Sequence, residues 1–430
     1  MTTTPSVPTD PSASIPTPHG GGPQAGILNR PSEHLILAAF NITGDPSTTT
    51  TELRQVVKNE LTSTLSSEND PSVAQAETGE LGYAAHHDRA HLTITVGFAS
   101  TAYDKLNVAQ SSRPADLVPI PWDKLGDTPD DPNGGDIVLQ ICSDDPVVAE
   151  HVLRQVEHNV PGLSTAWAHT GVQRYTSRQG RVATREARGW IGFLDGTSNL
   201  DPAHVQDDYQ LTFVNPDATD TYPAIPASGQ PGPYGPTNAP TFPDDLRPFN
   251  GTEPGWTRDG TYLCARISVN DLATWDKASL DDQQATIGRR KVDGISSDLP
   301  GSPGQTDQTP PNFAANPEDE TVAVSAHIRK ANPRTADDLP RRIFRRGYPL
   351  YEGGSGTIRR GLIFLSYARS ISTQFEFIFR AWLTNPDFPR PGAGIDRLRA
   401  FDTTVLTGGY YFVPPLDAPH EPWSWHLPTT

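Results

Sequence analysis

Cysteine and methionine are almost absent from this sequence of 430 residues. The two cysteines, Cys142 and Cys264, lie far apart, and neither has a partner at the short spacing of a metal-binding or redox pair. Two such residues exclude the disulfide framework of a small secreted domain and a cage of four thiolates around a metal ion. The sequence therefore predicts two reduced, buried thiols.

Long hydrophobic runs and an excess of positive charge are also missing. No window approaches the ~18 to 20 consecutive apolar residues that a membrane span needs, which predicts a soluble protein. Lysine and arginine number 34 against 51 aspartates and glutamates, a formal net charge of −17. Proteins that bind nucleic acid by neutralising phosphates carry the opposite sign, so no such partner is expected. The N-terminal stretch shows no apolar secretion segment, which favours cytoplasmic residence without excluding export by another route.

The chain begins with a polar tail, and the rest of its first half shows apolar patterns of both strands and helices. Residues 1–26 are rich in Pro, Thr, Ser and Gly, a composition that predicts a disordered tail because it cannot offset the entropy of ordering. After the tail, the spacing of apolar residues predicts strand, helix, strand, strand and helix at 33–40, 51–65, 92–98, 136–142 and 145–156. This order favours an α+β domain of the ferredoxin-like kind, with helices packed on an antiparallel sheet.

The same pattern recurs in the second half of the chain. Strands are predicted at 261–267 and 361–367, and helices at 272–288 and 372–383. Between the halves, residues 215–254 hold ten prolines and are predicted to form a long surface excursion. We therefore expect two ferredoxin-like domains and a C-terminal tail, at 27–205, 206–415 and 416–430.

One carboxylate stands at the end of an apolar segment. Residues 189–199 read GWIGFLDGTSN, with Asp195 between the apolar stretch and a glycine turn. Taken alone, an Asp-Gly pair is more often a turn or a helix cap than a catalytic group. A carboxylate at the end of an apolar segment tends to be desolvated, which raises its pKa and suits proton transfer near neutral pH. Both interpretations of Asp195 stay open at this point.

A histidine and a cationic run follow in the second half. His327 stands where the apolar run 322–324 ends and basic residues begin, in the segment 325–334 (SAHIRKANPR). A lone histidine is more often a surface or core residue than a ligand, but this position makes His327 a candidate. Residues 341–349 (RRIFRRGYP) concentrate cations around two apolar residues. They form either a solvated turn or a site for carboxylates or a bound oxygen ligand.

Together these three segments resemble the dye-decolourising peroxidases, a haem family. Residues 192–196 (GFLDG) match the family's GxxDG motif, residues 326–334 look like its proximal histidine segment, and residues 345–349 look like its distal arginine segment, in the same order and spacing. The resemblance extends over about 26–415. It implies a pair of ferredoxin-like domains, in agreement with the layout predicted from the apolar pattern.

The resemblance also implies a cofactor and the residues around it. One haem b (iron protoporphyrin IX) per chain is expected in the second half, with His327 as the axial ligand through a neutral imidazole nitrogen. The other ring nitrogen needs an acceptor, and Glu376 is the candidate. Arg289 matches a position that pairs with a haem propionate in relatives, although a solvated helix end is the alternative. Arg345 is expected to face the same cofactor.

The implied reaction is the reduction of hydrogen peroxide and the oxidation of dyes or phenolic and other aromatic compounds, through an oxyferryl haem intermediate. Asp195 is expected to take a proton from the bound peroxide and return it to the leaving oxygen. Arg345 supplies fixed positive charge where charge develops, with Arg346 as the competing choice. The expected partners are peroxide and an aromatic reductant, possible further copies of the chain, no nucleic acid and no membrane.

Two other functions fit parts of the same pattern. A haem carrier or haem-processing protein of the deferrochelatase kind would need His327 but would have no use for Asp195 as a distal acid and base. A haem-free metal protein would use histidines and an aspartate near the third predicted element, where two histidines lie four residues apart. A polar loop is the alternative for this group, which comprises His86, His87, Asp88 and His91.

Overall fold

Strands and short helices alternate through the described part of the chain. The computed structural model describes residues 22–62, 90–173, 187–218, 222–230, 238–249, 251–313, 321–354 and 357–416. The strands are β1 (His34–Ile42), β2 (Thr93–Phe98), β3 (Ile137–Ser143), β4 (Leu163–Val172), β5 (Thr261–Asn270), β6 (Phe344–Arg345), β7 (Tyr348–Gly354), β8 (Thr357–Ala368) and β9 (Asp402–Val413).

The helices are mostly short, and within the described ranges each is too short or too polar to span a bilayer. The α-helices are α1 (Pro46–Thr62), α2 (Ser100–Lys105), α3 (Pro146–Asn159), α4 (Gln206–Thr212), α5 (Leu272–Trp275), α6 (Leu280–Ile287) and α7 (His327–Ala331). Two π-helical turns follow β8, at Ile371–Phe375 and Ile378–Leu383. Single 3₁₀ turns lie at Gln110–Ser112, Gly255–Thr257, Ala336–Arg341 and Arg397–Ala400.

Local sequence sets several helix ends. The Asp145 carboxylate accepts a hydrogen bond from the Val147 amide at 2.8 Å and so caps α3. The Ser279 hydroxyl does the same for α6, where the Asp282 amide donates to it at 3.1 Å. Helix α6 ends at Gly288, whose φ of +88° lies in the left-handed region that glycine adopts without strain.

Eight of the strands close into a barrel. The hydrogen-bonded order is β5-β9-β2-β3-β1-β4-β7-β8, and β8 pairs again with β5 to complete the ring. The first half of the chain contributes the order β4-β1-β3-β2 and the second half β9-β5-β8-β7. Both are the antiparallel order of a ferredoxin-like unit, so the predicted α+β fold with two such units is confirmed.

The two halves meet at two narrow seams. Strand β2 pairs with β9 at Phe98 and Phe412, and β4 pairs with β7 at Gly171 and Leu350. Strand β1 shows how the core is divided, because its alternate side chains enter two different apolar clusters. Ile36, Ala38 and Phe40 pack towards the helices and Leu35, Leu37 and Ala39 pack inside the barrel. A strand buried on both faces gives the continuous apolar run seen in the sequence.

Two segments differ from their predictions, one in the number of its helices and one in its burial. Residues 272–288 form α5 and α6 instead of one helix, because Ser279 begins a new helix. The excursion 215–254 has no helix or strand in its described residues, but it is not merely superficial, since Phe242 and Leu246 are buried in the core.

The ordered chain also starts earlier than predicted. Gln24 lies within the predicted disordered tail, yet its side chain is buried and bonds the Val96 amide, the Val96 carbonyl and the Pro414 carbonyl. Gly22 pairs with Leu416, so both predicted tails contribute to the folded body at their inner ends. Residues 1–21 and 417–430 lie outside the described residues.

Candidate haem-peroxidase site

Asp195 lies on a tight turn that its flanking glycines permit. Gly192 and Gly196 have φ values of +85° and +74°, and the Gly196 amide donates to Asp195 Oδ1 at 2.7 Å. The Asp195 amide donates to the Ala187 carbonyl at 2.8 Å. A Cβ atom on Gly192 would lie 2.5 Å from Lys291 Cε, so a larger residue would displace that side chain. The GFLDG pattern therefore holds Asp195 in a defined position.

Arg345 bonds the same turn. Its Nη2 donates to the Thr197 carbonyl at 2.8 Å, and its amide and carbonyl pair with the Asn199 side chain at 3.0 and 2.8 Å. A Cβ atom on Gly347 would lie 3.7 Å from Asp195 Oδ2, so the carboxylate reaches the chain directly after the arginines. The structure thus brings Asp195 and the Arg345 segment together.

Arg346 bonds a different part of the molecule. Its side chain is buried, and Nη1 donates to the Asn29 carbonyl at 2.6 Å in the N-terminal segment. Its amide donates to the Leu365 carbonyl of β8 at 2.9 Å. Of the two competing arginines, Arg345 is therefore the one that contacts the turn of Asp195.

Arg289 reaches this turn from the end of α6. Its guanidinium donates to the carbonyls of Gly294 and Asp307 at 2.6 and 3.0 Å, and to Ser198 Oγ at 3.1 Å. The side chain is buried, and its Nε has no hydrogen-bond partner among the described residues. Burial and then the nearby Arg345 charge lower the pKa of Arg289 to about 10.

Arg334 joins this group of cations, although the sequence analysis gave it no role. Burial and the charges of Arg289, Arg342 and Arg345 lower its pKa to about 9. Its Nε also lacks a hydrogen-bond partner within the described ranges. The basic residues at the end of the segment 326–334 were the only signal for it. Four arginines that repel one another form a site suited to anions.

His327 begins α7 and is held by a carboxylate. Its Nδ1 lies 2.7 Å from Asp396 Oδ2, and the histidine side chain is 30% exposed while that of Asp396 is 3% exposed. The other carboxylate oxygen of Asp396 accepts from the Leu398 amide at 3.0 Å. With Nδ1 engaged by the carboxylate, Nε2 is the nitrogen left for a ligand, and the hydrogen bond fixes the orientation of the ring.

The prediction that Glu376 accepts the hydrogen bond of His327 is wrong. Glu376 is buried in the π-helical segment and accepts from Arg380 Nη1 at 3.0 Å and Arg247 Nη2 at 3.5 Å. Its position on the helix directs it to Arg380 four residues later. Asp396, on the loop that follows this segment, occupies the place that Glu376 was expected to fill.

Arg289 and His327 lie at neighbouring ends of α6 and α7. A Cβ atom on Gly288 would lie 2.7 Å from Ile328 Cγ1, so the residues adjacent to Arg289 and His327 are packed together. Arg334, seven residues after His327, is electrostatically coupled to Arg289 and Arg345. Arg289 and Arg345 therefore both donate hydrogen bonds to the turn that carries Asp195, at Ser198 and Thr197. The start of α7, where His327 lies, packs against the end of α6 next to Arg289. Glu376 bonds the arginines of a separate network.

The histidine-rich segment offers no alternative centre in the described residues. His91 Nδ1 lies 2.8 Å from Asp144 Oδ2. Groups of three or more metal-binding side chains do not occur in the part of the chain that the structure covers. His86, His87 and Asp88 lie outside it.

A closed barrel of two ferredoxin-like units, with a histidine–carboxylate pair and an arginine of β6 that bonds the turn of an aspartate, is the arrangement of an α+β peroxidase. Residues 24–171 match the family model "Dyp-type peroxidase, N-terminal" and residues 236–418 match "Dyp-type peroxidase, C-terminal". The chain belongs to the DyP-type peroxidase family, whose members bind haem.

Curated relatives and solved structures agree with this family. The chain is 26% identical over 378 residues to Deferrochelatase of Yersinia pestis, covering 83% of this chain and 75% of that protein. It is 25% identical to Deferrochelatase of Escherichia coli (strain K12), covering 83% and 77%. Among solved structures, a DyP-type peroxidase from Cellulomonas bogoriensis is 26% identical with a TM-score of 0.66, covering 95% and 94%. A DyP-type peroxidase from Streptomyces coelicolor is 23% identical with a TM-score of 0.68, covering 92% of each chain.

Proposed function

We propose that the protein is a haem b peroxidase that reduces hydrogen peroxide and oxidises dyes or phenolic compounds, with one haem per chain. The observation that carries this proposal is the contact of the Asp195 turn with Arg345. A protein that only carried haem would need the His327–Asp396 pair, but it would need no acid and base beside a guanidinium.

The residues present fit haem. Arg289 and Arg334 each have a buried Nε without a partner in the described chain. Burial, followed by the charges of neighbouring arginines, lowers the pKa of both guanidinium groups more than nearby carboxylates such as Asp298 raise it. Two propionates would supply both the charge and the acceptors. His327 would hold the iron through Nε2, since Asp396 holds Nδ1. When bound, haem supplies the iron at which peroxide is reduced and the electrons that the aromatic reductant replaces.

Asp195 would move the proton of the peroxide. Its Oδ1 accepts from the Gly196 amide, which leaves Oδ2 to take a proton from one peroxide oxygen and deliver it to the other. Arg345 would stabilise the negative charge that develops on the leaving oxygen as the O–O bond breaks. Its bond to the Thr197 carbonyl fixes the guanidinium before the reaction begins.

A haem titration of the purified protein tests this proposal. Wild type should develop a Soret band that saturates at one haem per chain and should then oxidise a phenolic dye with peroxide. His327→Ala should lose the ligand signature of a histidine-bound iron. If the Soret band of the added haem keeps the position and width of free haem, both the cofactor and the peroxidase activity are excluded.

Haem processing is the second candidate, because the curated relatives above carry the name Deferrochelatase. Free porphyrin fluoresces strongly whereas haem does not, so release of iron from bound haem is visible directly. Porphyrin fluorescence that grows under reducing conditions, at a rate unchanged in Asp195→Asn, would favour this function. Peroxide turnover that is lost in the same variant would favour the peroxidase.

A further inference from the structure

Lys330 is a buried cation that the proposed reaction does not use. It is fully buried, and its Nζ donates to the carbonyls of Trp382 at 3.1 Å, Asn385 at 2.7 Å and Phe388. An ammonium group has three hydrogens, so these three acceptors satisfy it completely. The first of these carbonyls lies in the last turn of the π-helical segment, where a cation also meets the negative end of the helix.

The lysine joins the two segments that carry the histidine–carboxylate pair. It lies on α7, three residues after His327, whereas two of its acceptors, Asn385 and Phe388, lie at the start of the loop that leads to Asp396. This loop returns to the helix end, because the Asp396 amide donates to the Leu383 carbonyl at 2.8 Å. Lys330 therefore joins the helix that carries His327 to the segment from which Asp396 follows.

Burying the Lys330 ammonium group to join these two segments costs desolvation free energy. Burial lowers the pKa of Lys330 to about 8, and the charges of Asp396 and Asp387 only partly oppose this. A packed apolar residue would join the segments without the desolvation of a charge. What the ammonium provides, and an apolar side chain does not, is a fixed direction to three separate carbonyls.

We infer that Lys330 is a positioning residue that sets the His327–Asp396 hydrogen bond and thereby the electron donation of the histidine to iron. The inference rests on the proposed function in one respect, namely that His327 is the axial ligand. Because a carboxylate acceptor makes a ligating imidazole more basic and favours ferric iron, a loosened hydrogen bond should raise the ferric/ferrous potential and lower the iron–histidine stretching frequency.

The test compares Lys330→Met with Asp396→Asn in haem-loaded protein. Both variants should shift the potential upwards and the stretching frequency downwards, and Lys330→Met should add nothing in the Asp396→Asn background. Lys105→Met is the control, because Lys105, like Lys330, donates to a backbone carbonyl, but it pairs with Asp136 and lies on α2 in the first half of the chain. It should leave both quantities unchanged.

The inference is overturned if Lys330→Met lowers the melting temperature but leaves the potential and the stretching frequency unchanged, as a purely structural contact would. It is also overturned if the potential shift of Lys330→Met adds fully to that of Asp396→Asn. If Lys330→Met does not retain haem, hydrogen exchange of the apoprotein gives the answer. The amides of Asp396 and Arg397, bonded to the carbonyls of Leu383 and Ser325, should exchange faster than in wild type, and equal rates contradict the inference. Failure of the proposed function is distinguishable. If His327 does not bind the iron, wild type itself shows no iron–histidine vibration, and if only the peroxidase activity is missing, the shifts in potential and stretching frequency remain.

Discussion

His327 Nδ1 and Asp396 Oδ2 lie 2.7 Å apart although 69 residues separate them in the chain. Asp396→Asn keeps the shape of this pair but weakens the acceptor, so iron bound to His327 should be easier to reduce and should react with peroxide ~10 to 100-fold more slowly. The potential is measured by redox titration and the rate by stopped flow. Glu376→Gln is the control, because Glu376 bonds Arg380 and Arg247 instead. A potential shift of equal size in Glu376→Gln would contradict the assignment.

Arg345 and Arg346 are adjacent, but only Arg345 bonds the turn of Asp195. Arg345→Leu should slow the reaction with peroxide by ~10² to 10³, the cost of removing a fixed donor from developing negative charge. Asp195→Asn should slow it as well, because the amide cannot carry the proton. The rate is the decay of the ferric Soret band in single-turnover stopped flow.

Arg346→Leu serves as the control for this pair. Its guanidinium bonds the N-terminal segment at Asn29, so its loss should lower the melting temperature and leave the rate with peroxide near that of wild type. A rate as slow as that of Arg345→Leu would assign the distal role to Arg346.

Removing one arginine of this group should affect the stability of the apoprotein and the affinity for haem in opposite directions. The pKa of Arg334 falls well below its ordinary value, to about 9, in the folded protein. The stability linked to this group is present above the unfolded pKa and is lost as the pH falls through 9. Arg334→Ala should therefore leave the apoprotein at pH 7 at least as stable as wild type, yet bind haem ~10-fold more weakly, as expected for the loss of one charge pair. Urea unfolding and haem titration measure the two effects.

Haem with esterified propionates isolates the charge contribution. Wild type and Arg334→Ala should bind the diester with equal affinity, because it offers no carboxylate to the guanidinium. Arg258→Ala is the control, because it removes a guanidinium that already pairs with Asp217. It should change neither the affinity for haem nor the difference in affinity between haem and its diester. Equal weakening of haem and diester binding by Arg334→Ala would mean that the arginine acts only through packing.

The sequence was most informative where a local pattern carries the function. Strand β1 was predictable because it is buried on both faces, and the segments of Asp195, His327 and Arg345 were recognisable from a few adjacent residues. Strand β4 was not predicted because most of its residues, LSTAWAHTGV, are small or polar and four of the ten are exposed. Asp396 could not be predicted as the partner of His327, because a contact between residues 69 positions apart produces no pattern in the local sequence. The sequence also has 51 acidic residues, any of which could be the acceptor.

Glu253 makes stability depend on pH near neutrality. It lies in the excursion 215–254, where Tyr262 Oη donates to Oε1 at 2.5 Å and the Ala115 amide donates to Oε2 at 3.1 Å. Burial outweighs both hydrogen bonds and raises the pKa of Glu253 from 4.5 to about 7. Because the folded pKa exceeds the unfolded one, the contribution to stability is full below 4.5 and is lost as the pH rises through 7.

Urea unfolding of the apoprotein between pH 4.5 and 8 measures this dependence. Wild type should lose up to ~3 kcal/mol of unfolding free energy across the window from this group, because each tenfold change in proton affinity corresponds to about 1.4 kcal/mol. Glu253→Gln should remove that slope, whatever its effect on stability at a single pH. Glu352→Gln is the matched control, since the hydrogen bond and charge of His169 hold the pKa of Glu352 below its usual value despite burial, and its effect falls on the acid side of 4.5. Parallel curves for wild type and Glu253→Gln between pH 5 and 7 would show that Glu253 is ionised throughout, so that its two hydrogen bonds, and not its burial, determine its charge.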